Sequence, residues 1–158
     1  MNDPNGCFKN PITGEWNLYF QYCGNRTTWC EPMFWGHAVS YDMNTWKEKP
    51  LAIGPPYYEG GAYSGSIFID EKNSSGFFTE ESEHPNVIAA WTYNYDIGTG
   101  DNKIHYQNQW ISYSKDGGIT FITIPQGTKI NNETINPNVE SKKDNENSDE
   151  LSVEFRDP

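Results

Sequence analysis

Gln109-Trp-Ile-Ser-Tyr-Ser-Lys-Asp-Gly-Gly-Ile-Thr-Phe121 reads as a β-hairpin, with a β-rich run from Gln109 to Ser114, a turn at Asp116-Gly117-Gly118 and a return strand through Thr120-Phe121. The same order of strand, Ser-x-Asp, turn and Thr-aromatic occurs in Trp35-Gly-His-Ala-Val-Ser-Tyr-Asp-Met-Asn-Thr-Trp46. Working outward, short β-rich runs separated by turn residues fill the chain, and no stretch carries a 3.6-residue apolar period. The sequence predicts strands over 16–22, 34–40, 64–70, 87–94, 109–114 and 119–124. Breakers fall between them at Pro50, Gly54-Pro55-Pro56, Gly60-Gly61, and Gly98 with Gly100. The fold class is all-β.

Ser114-x-Asp116-x-Gly118-x-Thr120-Phe121 resembles the Asp-box turn found on many β-propellers, where the carboxylate bonds turn amides and the aromatic packs under the hairpin. A repeated hairpin suggests repeated blades. The two copies lie far apart for neighbouring blades of about 40–50 residues, so adjacency requires an insertion in the second.

The 158 residues carry a net charge of −11, which argues against a nucleic-acid partner. The longest aliphatic run, Val87 to Trp91, is far short of the ~20 residues of a membrane span. Aromatic residues make up 15% of the chain, with 6 Trp, 10 Tyr and 8 Phe, so much of the core must be aromatic. Cys7, Cys23 and Cys30 allow at most one internal disulfide and form no C-x-x-C knuckle. Sequons at Asn25, Asn73 and Asn132 suit a secreted glycoprotein but are about as many as chance gives, and no positively charged, apolar leader follows Met1. From Gln126 to Glu150 aromatic character disappears and Asn, Asp, Glu and Lys dominate, which predicts a solvated loop inserted at the surface.

Both ends carry Asp-Pro, in Met1-Asn-Asp-Pro-Asn-Gly6 and in Phe155-Arg-Asp-Pro158. Read alone, the first is a strong turn. Two carboxylates beside Asn2, Arg156, Gln21 and a set of Trp, Tyr and Ser residues also match the inventory of a sugar site: aromatic faces stack on C–H groups, while amides, guanidinium and carboxylates bind hydroxyls. With Leu18-Tyr-Phe-Gln-Tyr22, Phe34-Trp-Gly-His-Ala38, Tyr63-Ser-Gly-Ser66 and Ala90-Trp-Thr-Tyr-Asn94 between them, these motifs resemble, in order and spacing, the yeast invertases of glycoside hydrolase family 32. The resemblance runs from first residue to last except 126–150. It implies the N-terminal part, residues 1–158, of a five-bladed catalytic β-propeller: about two blades and the start of a third, without the family's C-terminal β-sandwich.

The resemblance implies hydrolysis of β-fructofuranosides, sucrose above all, with retention of configuration. Asp3 matches the nucleophile and Asp157 the carboxylate that stabilises the transition state, with Arg156 keeping it ionised. Asn2, Pro4, Asn5, Gln21, Trp29, Trp35, Tyr63, Ser64 and Arg156 match substrate contacts. Gln21 also admits a plainer reading as the exposed face of a strand, Trp35 and Trp91 as core, and His37 as a structural hydrogen bond. The family's acid/base is a Glu followed by Cys beyond the Arg-Asp-Pro motif; these 158 residues contain no such pair, and Cys30-Glu31 has the reverse order. A fragment lacking it is expected to be inactive. Cys23 and Cys30 stand where the yeast enzymes have Asn and Gly, in a loop that should rim the pocket; they are close enough to pair if the chain turns back, leaving Cys7 free. No metal or cofactor is expected. The expected partners are fructose-containing oligosaccharides, with no nucleic acid and no membrane, self-association of the full-length protein, and secretion. Exo-inulinase or levanase, fructosyltransferase, and a non-catalytic sugar-binding propeller remain as alternatives.

Overall fold

The computed structural model describes residues 3–57, 60–78 and 82–125, together with the backbone of 129–130 and 133–134. Two four-stranded antiparallel sheets are each built from strands consecutive in sequence. The first holds β1 (Pro4–Lys9), β2 (Trp16–Tyr22), β3 (Phe34–Ser40) and β4 (Lys47–Ile53); the second holds β5 (Gly61–Ile69), β6 (Val87–Ile97), β7 (Ile104–Ser114) and β8 (Ile122–Thr123). A separate pair, β9 (Lys129–Ile130) with β10 (Glu133–Thr134), lies within the stretch read as a polar loop.

The two similar hairpins occupy equivalent places, the turn between third and fourth strand of each sheet, so the sheets are neighbouring blades. Their wide separation in sequence comes from the connection between β5 and β6 and from the long β6–β7 hairpin. The turns are bonded alike. Asp42 Oδ1 accepts from Ser40 Oγ at 2.9 Å and from the Asn44 and Thr45 amides at 2.9 and 2.7 Å. Asp116 Oδ1 accepts from Ser114 Oγ at 2.7 Å and from the Ile119 and Thr120 amides at 3.1 and 2.9 Å. Met43 and Gly117 fill the same left-handed position, with φ of 58° and 77°.

The core lies between the blades and is largely aromatic: Phe8, Tyr19 and Trp35 from the first meet Trp91, Tyr93 and Trp110 from the second. Tyr19 is the joint. Its ring stacks on His37 at 4.5 Å and meets the edge of Phe121 at 5.8 Å, and its hydroxyl donates to the Gly118 carbonyl at 2.7 Å. The first strands also meet, because β1 lies against β5. Gly6 permits that approach: a Cβ there would collide with Ile67, and its φ of 147° disfavours other residues.

Besides the β9–β10 pair, two strands of the four-stranded sheets escaped the sequence reading. β1 begins inside the Asp-Pro-Asn-Gly turn signal, and β4 is an edge strand carrying Lys47, Glu48, Lys49 and Pro50 with little apolar alternation. Charges and proline suit an edge, and Pro50 sits where the β3–β4 register slips. The expected strand at 119–124 shrinks to Ile122–Thr123, since the Asp116 turn takes up the residues before it.

Candidate functional site

Two β-bulges at one end of the first strands build the site. In β1, Pro4 pairs with Phe20 and Gly6 with Tyr19, which makes Asn5 the extra residue; in β5, Ala62 pairs with Tyr93 and Gly65 with Trp91, so Tyr63 and Ser64 together oppose Thr92. A bulge re-aims side chains that regular pleating would send to opposite faces. Here it allows Ser64 Oγ to donate to Asp3 Oδ2 at 3.0 Å. The Asp3 carbonyl accepts the Gln21 amide at 2.9 Å, so Asp3 is held at both backbone and side chain, while its carboxylate stays open to solvent.

Gln21 is 4% exposed and gives its Nε2 to the Ala62 carbonyl at 3.0 Å. The reading of Gln21 as an exposed strand face is therefore incorrect: the face with Asn17 and Tyr19 is the buried one. Trp35, expected among the fructose contacts, has no exposed surface. Its indole N–H donates to the Tyr63 carbonyl at 2.9 Å, which places it behind the pocket wall, supporting the bulge that carries Tyr63. Asn5 is also fully buried, and neither its Oδ1 nor its Nδ2 has a hydrogen-bond partner among the described residues. Pro4 is exposed.

The loop from β2 to β3 forms a rim beside these residues. Cys23 and Cys30 are joined in a disulfide and Cys7 is a free, exposed thiol. The far end of the loop is tied to β5, where the Ala62 amide donates to the Met33 carbonyl at 2.9 Å. Between these ties Trp29 is 61% exposed, its ring edge-on to Tyr63 with centroids 6.4 Å apart. Gln21, Arg26, Thr27, Thr28, Trp29 and Met33 line a cavity of 460 Å³, within the range of about 300–1,000 Å³ usual for small-molecule sites. A larger hollow of 630 Å³ lies at the opposite ends of β5 and β6, around Asp70, Asn73 and His84.

Sequence reasoning passed over one carboxylate. Glu31 Oε1 accepts from the Tyr63 hydroxyl at 3.2 Å and from Asn94 Nδ2 at 3.3 Å. The Glu-Cys order was the only signal sought, and Glu31 does not have it. His37 is structural as expected: it is fully buried, and the hydrogen bond to Asn17 Oδ1 at 2.9 Å puts its proton on Nε2. Burial, with the Lys49 charge second, lowers its pKa to about 4 against an opposing pull from Asp116. His105 pairs with Asp96 at 2.8 Å, away from Asp3. Among the described residues no cluster of three or more His, Cys, Asp or Glu could hold a metal ion. Asn2, Arg156 and Asp157 lie outside the described residues.

The described arrangement offers an exposed carboxylate oriented by a serine, and beside it, linked through the β5 bulge, amides, an exposed indole and a second carboxylate. Such a set suits binding of a polyhydroxylated ligand and attack on it by Asp3. Comparison with known proteins agrees in kind. The model of the glycosyl hydrolases family 32 N-terminal domain matches residues 1–158. Invertase 1 of Saccharomyces cerevisiae is 48% identical over 122 residues, 77% of this chain and 21% of that protein. An extracellular exo-inulinase of Meyerozyma guilliermondii is 41% identical over 137 residues, 86% of this chain and 25% of that one. The structure of β-fructofuranosidase from Schwanniomyces occidentalis complexed with fructosyl-erythritol superposes with a TM-score of 0.69 at 42% identity, covering 78% of this chain and 23% of that one. The two sheets are thus blades of the family's five-bladed propeller. The chain spans between a fifth and a quarter of the length of these relatives.

Proposed function

The chain belongs to family 32 of the glycosyl hydrolases, and from that premise we propose that the protein carrying it is a retaining β-fructofuranosidase of invertase type. It releases the terminal non-reducing fructose of sucrose and related β-fructofuranosides. The observation that carries this reading is the Asp3 carboxylate, exposed yet fixed by Ser64 and by its own backbone bond to Gln21.

Asp3 attacks the anomeric carbon of fructose and holds it as an ester until water displaces the enzyme. The departing oxygen takes a proton from a second carboxyl group about 5–5.5 Å away, the spacing that retention requires. That donor is a Glu-Cys outside these 158 residues, so the 158 residues by themselves are inactive. Asp157 stabilises the transition state through the fructose hydroxyls, and Arg156 keeps it ionised. Asn2, Pro4, Asn5, Gln21, Trp29, Tyr63 and Ser64 form or back the fructose pocket, with Trp35 behind Tyr63. Residues 1–158 are the N-terminal part of the catalytic propeller, with 126–150 as a polar insertion. The protein is secreted and glycosylated, needs no cofactor, and self-associates at full length; invertase and extracellular exo-inulinase relatives support the sugar chemistry and the secretion.

The test is sucrose hydrolysis by the full-length protein and its Asp3→Asn variant. Loss of at least roughly 10³-fold in kcat is expected on removal of a nucleophile. An Asp3→Asn protein as active as wild type overturns the assignment.

A further inference from the structure

We propose that Glu31 is a specificity-determining residue that binds the sugar attached to the fructose being cleaved. Neighbouring residues of the β5 bulge each hold one carboxylate: Ser64 donates to Asp3 and Tyr63 donates to Glu31. The two acids are thus held by consecutive residues of one bulge, Asp3 through the short serine and Glu31 through the far end of the tyrosine, so that with a fructose seated on Asp3, Glu31 is assigned to the sugar the fructose is joined to.

Three features make Glu31 a binding group. It is exposed, and it has no cationic partner among the described residues. Its Oε1 is fixed by Tyr63 and Asn94, while Oε2 has no hydrogen bond among the described residues and is left to accept from a hydroxyl. Its loop is restrained on both sides, by the Cys23–Cys30 disulfide before it and by the Met33–Ala62 backbone bond after it. Trp29, two residues earlier, meets the ring of the same Tyr63, so an exposed indole and a carboxylate flank one tyrosine. A hexose ring needs that pair: an aromatic surface for its C–H face and a charged acceptor for its hydroxyls. The Asn94 amide that fixes Glu31 itself accepts from Gln107 Nε2 at 3.1 Å, which links the carboxylate to the long β6–β7 hairpin.

The inference rests on the fructofuranosidase reading, and the experiment separates the two. In the full-length protein, kcat/KM is measured for sucrose and for methyl β-D-fructofuranoside, whose aglycone cannot reach Glu31. Glu31→Gln should lower the sucrose-to-methyl-fructoside ratio of kcat/KM at least threefold, through KM for sucrose. Glu31→Ala, without an acceptor for Tyr63 and Asn94, should lower it further. A smaller change in the ratio for both variants overturns the role of Glu31, including the case where both substrates suffer equally, which marks a merely structural residue. A wild-type protein that cleaves neither substrate overturns the fructofuranosidase reading and this one with it.

Discussion

Ser64 Oγ donates to Asp3 Oδ2 across 3.0 Å, and this single bond ties the residue just before β1 of one blade to the first strand of the next. It exists because the β5 bulge turns Ser64 toward β1 and because Gly6 lets the two strands approach. The nucleophile proposed here is thus positioned by the joint between blades.

Ser64→Ala removes that orientation without opening a cavity. The bond is solvent-exposed, so thermal stability should change little, while kcat on sucrose should fall about 10-fold as the carboxylate loses the donor that orients it. An unaltered kcat would mean that Asp3 is held in place by other groups.

Tyr19→Phe should weaken the same joint from the far side. Its hydroxyl is buried on the Gly118 carbonyl at 2.7 Å, and removing it leaves that carbonyl unpaired. A loss of about 1–2 kcal/mol in denaturant unfolding is expected. Equal stability of the two proteins would remove Tyr19 from its place as the joint.

His37 sets a pH dependence. With its folded pKa lowered to about 4 from 6.5, the unfolded chain binds a proton that the native chain refuses between those values. Stability from this group is complete above pH 6.5, falls as pH drops toward 4, and falls no further below, by about 3 kcal/mol in all. His37→Gln should flatten that window in melts taken from pH 7 to 4; an unchanged slope would assign it to other groups. At lower pH a second loss is expected. Hydrogen bonds from Ser75 and Ser74 overcome the effect of burial and hold Asp70 at about 2, so its contribution disappears between 3.8 and 2.

The disulfide should govern binding more than turnover. Cys23 and Cys30 close a short exposed loop that carries Trp29. Replacing both by Ser should raise KM for sucrose several-fold and leave kcat within twofold, because the loop lines the cavity and does not carry Asp3. Equal effects on both constants would place the loop nearer the reacting atoms.

Much of the fold was legible because it follows local rules. The Ser-x-Asp turns announced both third-to-fourth strand hairpins, and β2 and β3 were predicted at their observed limits. β1 and β4 were not, since one starts within a turn signal and the other is an edge strand whose charges and proline erase the alternation. At the site, motif order pointed to Asp3, Gln21, Tyr63 and Ser64, all of which the bulges bring together. Glu31 could not be read, because its contacts with Tyr63 and Asn94 span 32 and 63 positions and depend on two blades meeting. Likewise nothing local distinguishes a Trp35 that lines a pocket from one buried behind it; only the packing of Tyr63 over it does so.

The most direct measurement of the central claim is mass analysis of the full-length protein quenched in acid during turnover of sucrose. The account predicts that the peptide containing Asp3 gains the mass of one fructosyl unit, and that the Asp3→Asn protein does not. A fructosyl adduct on a different carboxylate, with Asp3 unmodified, would contradict it.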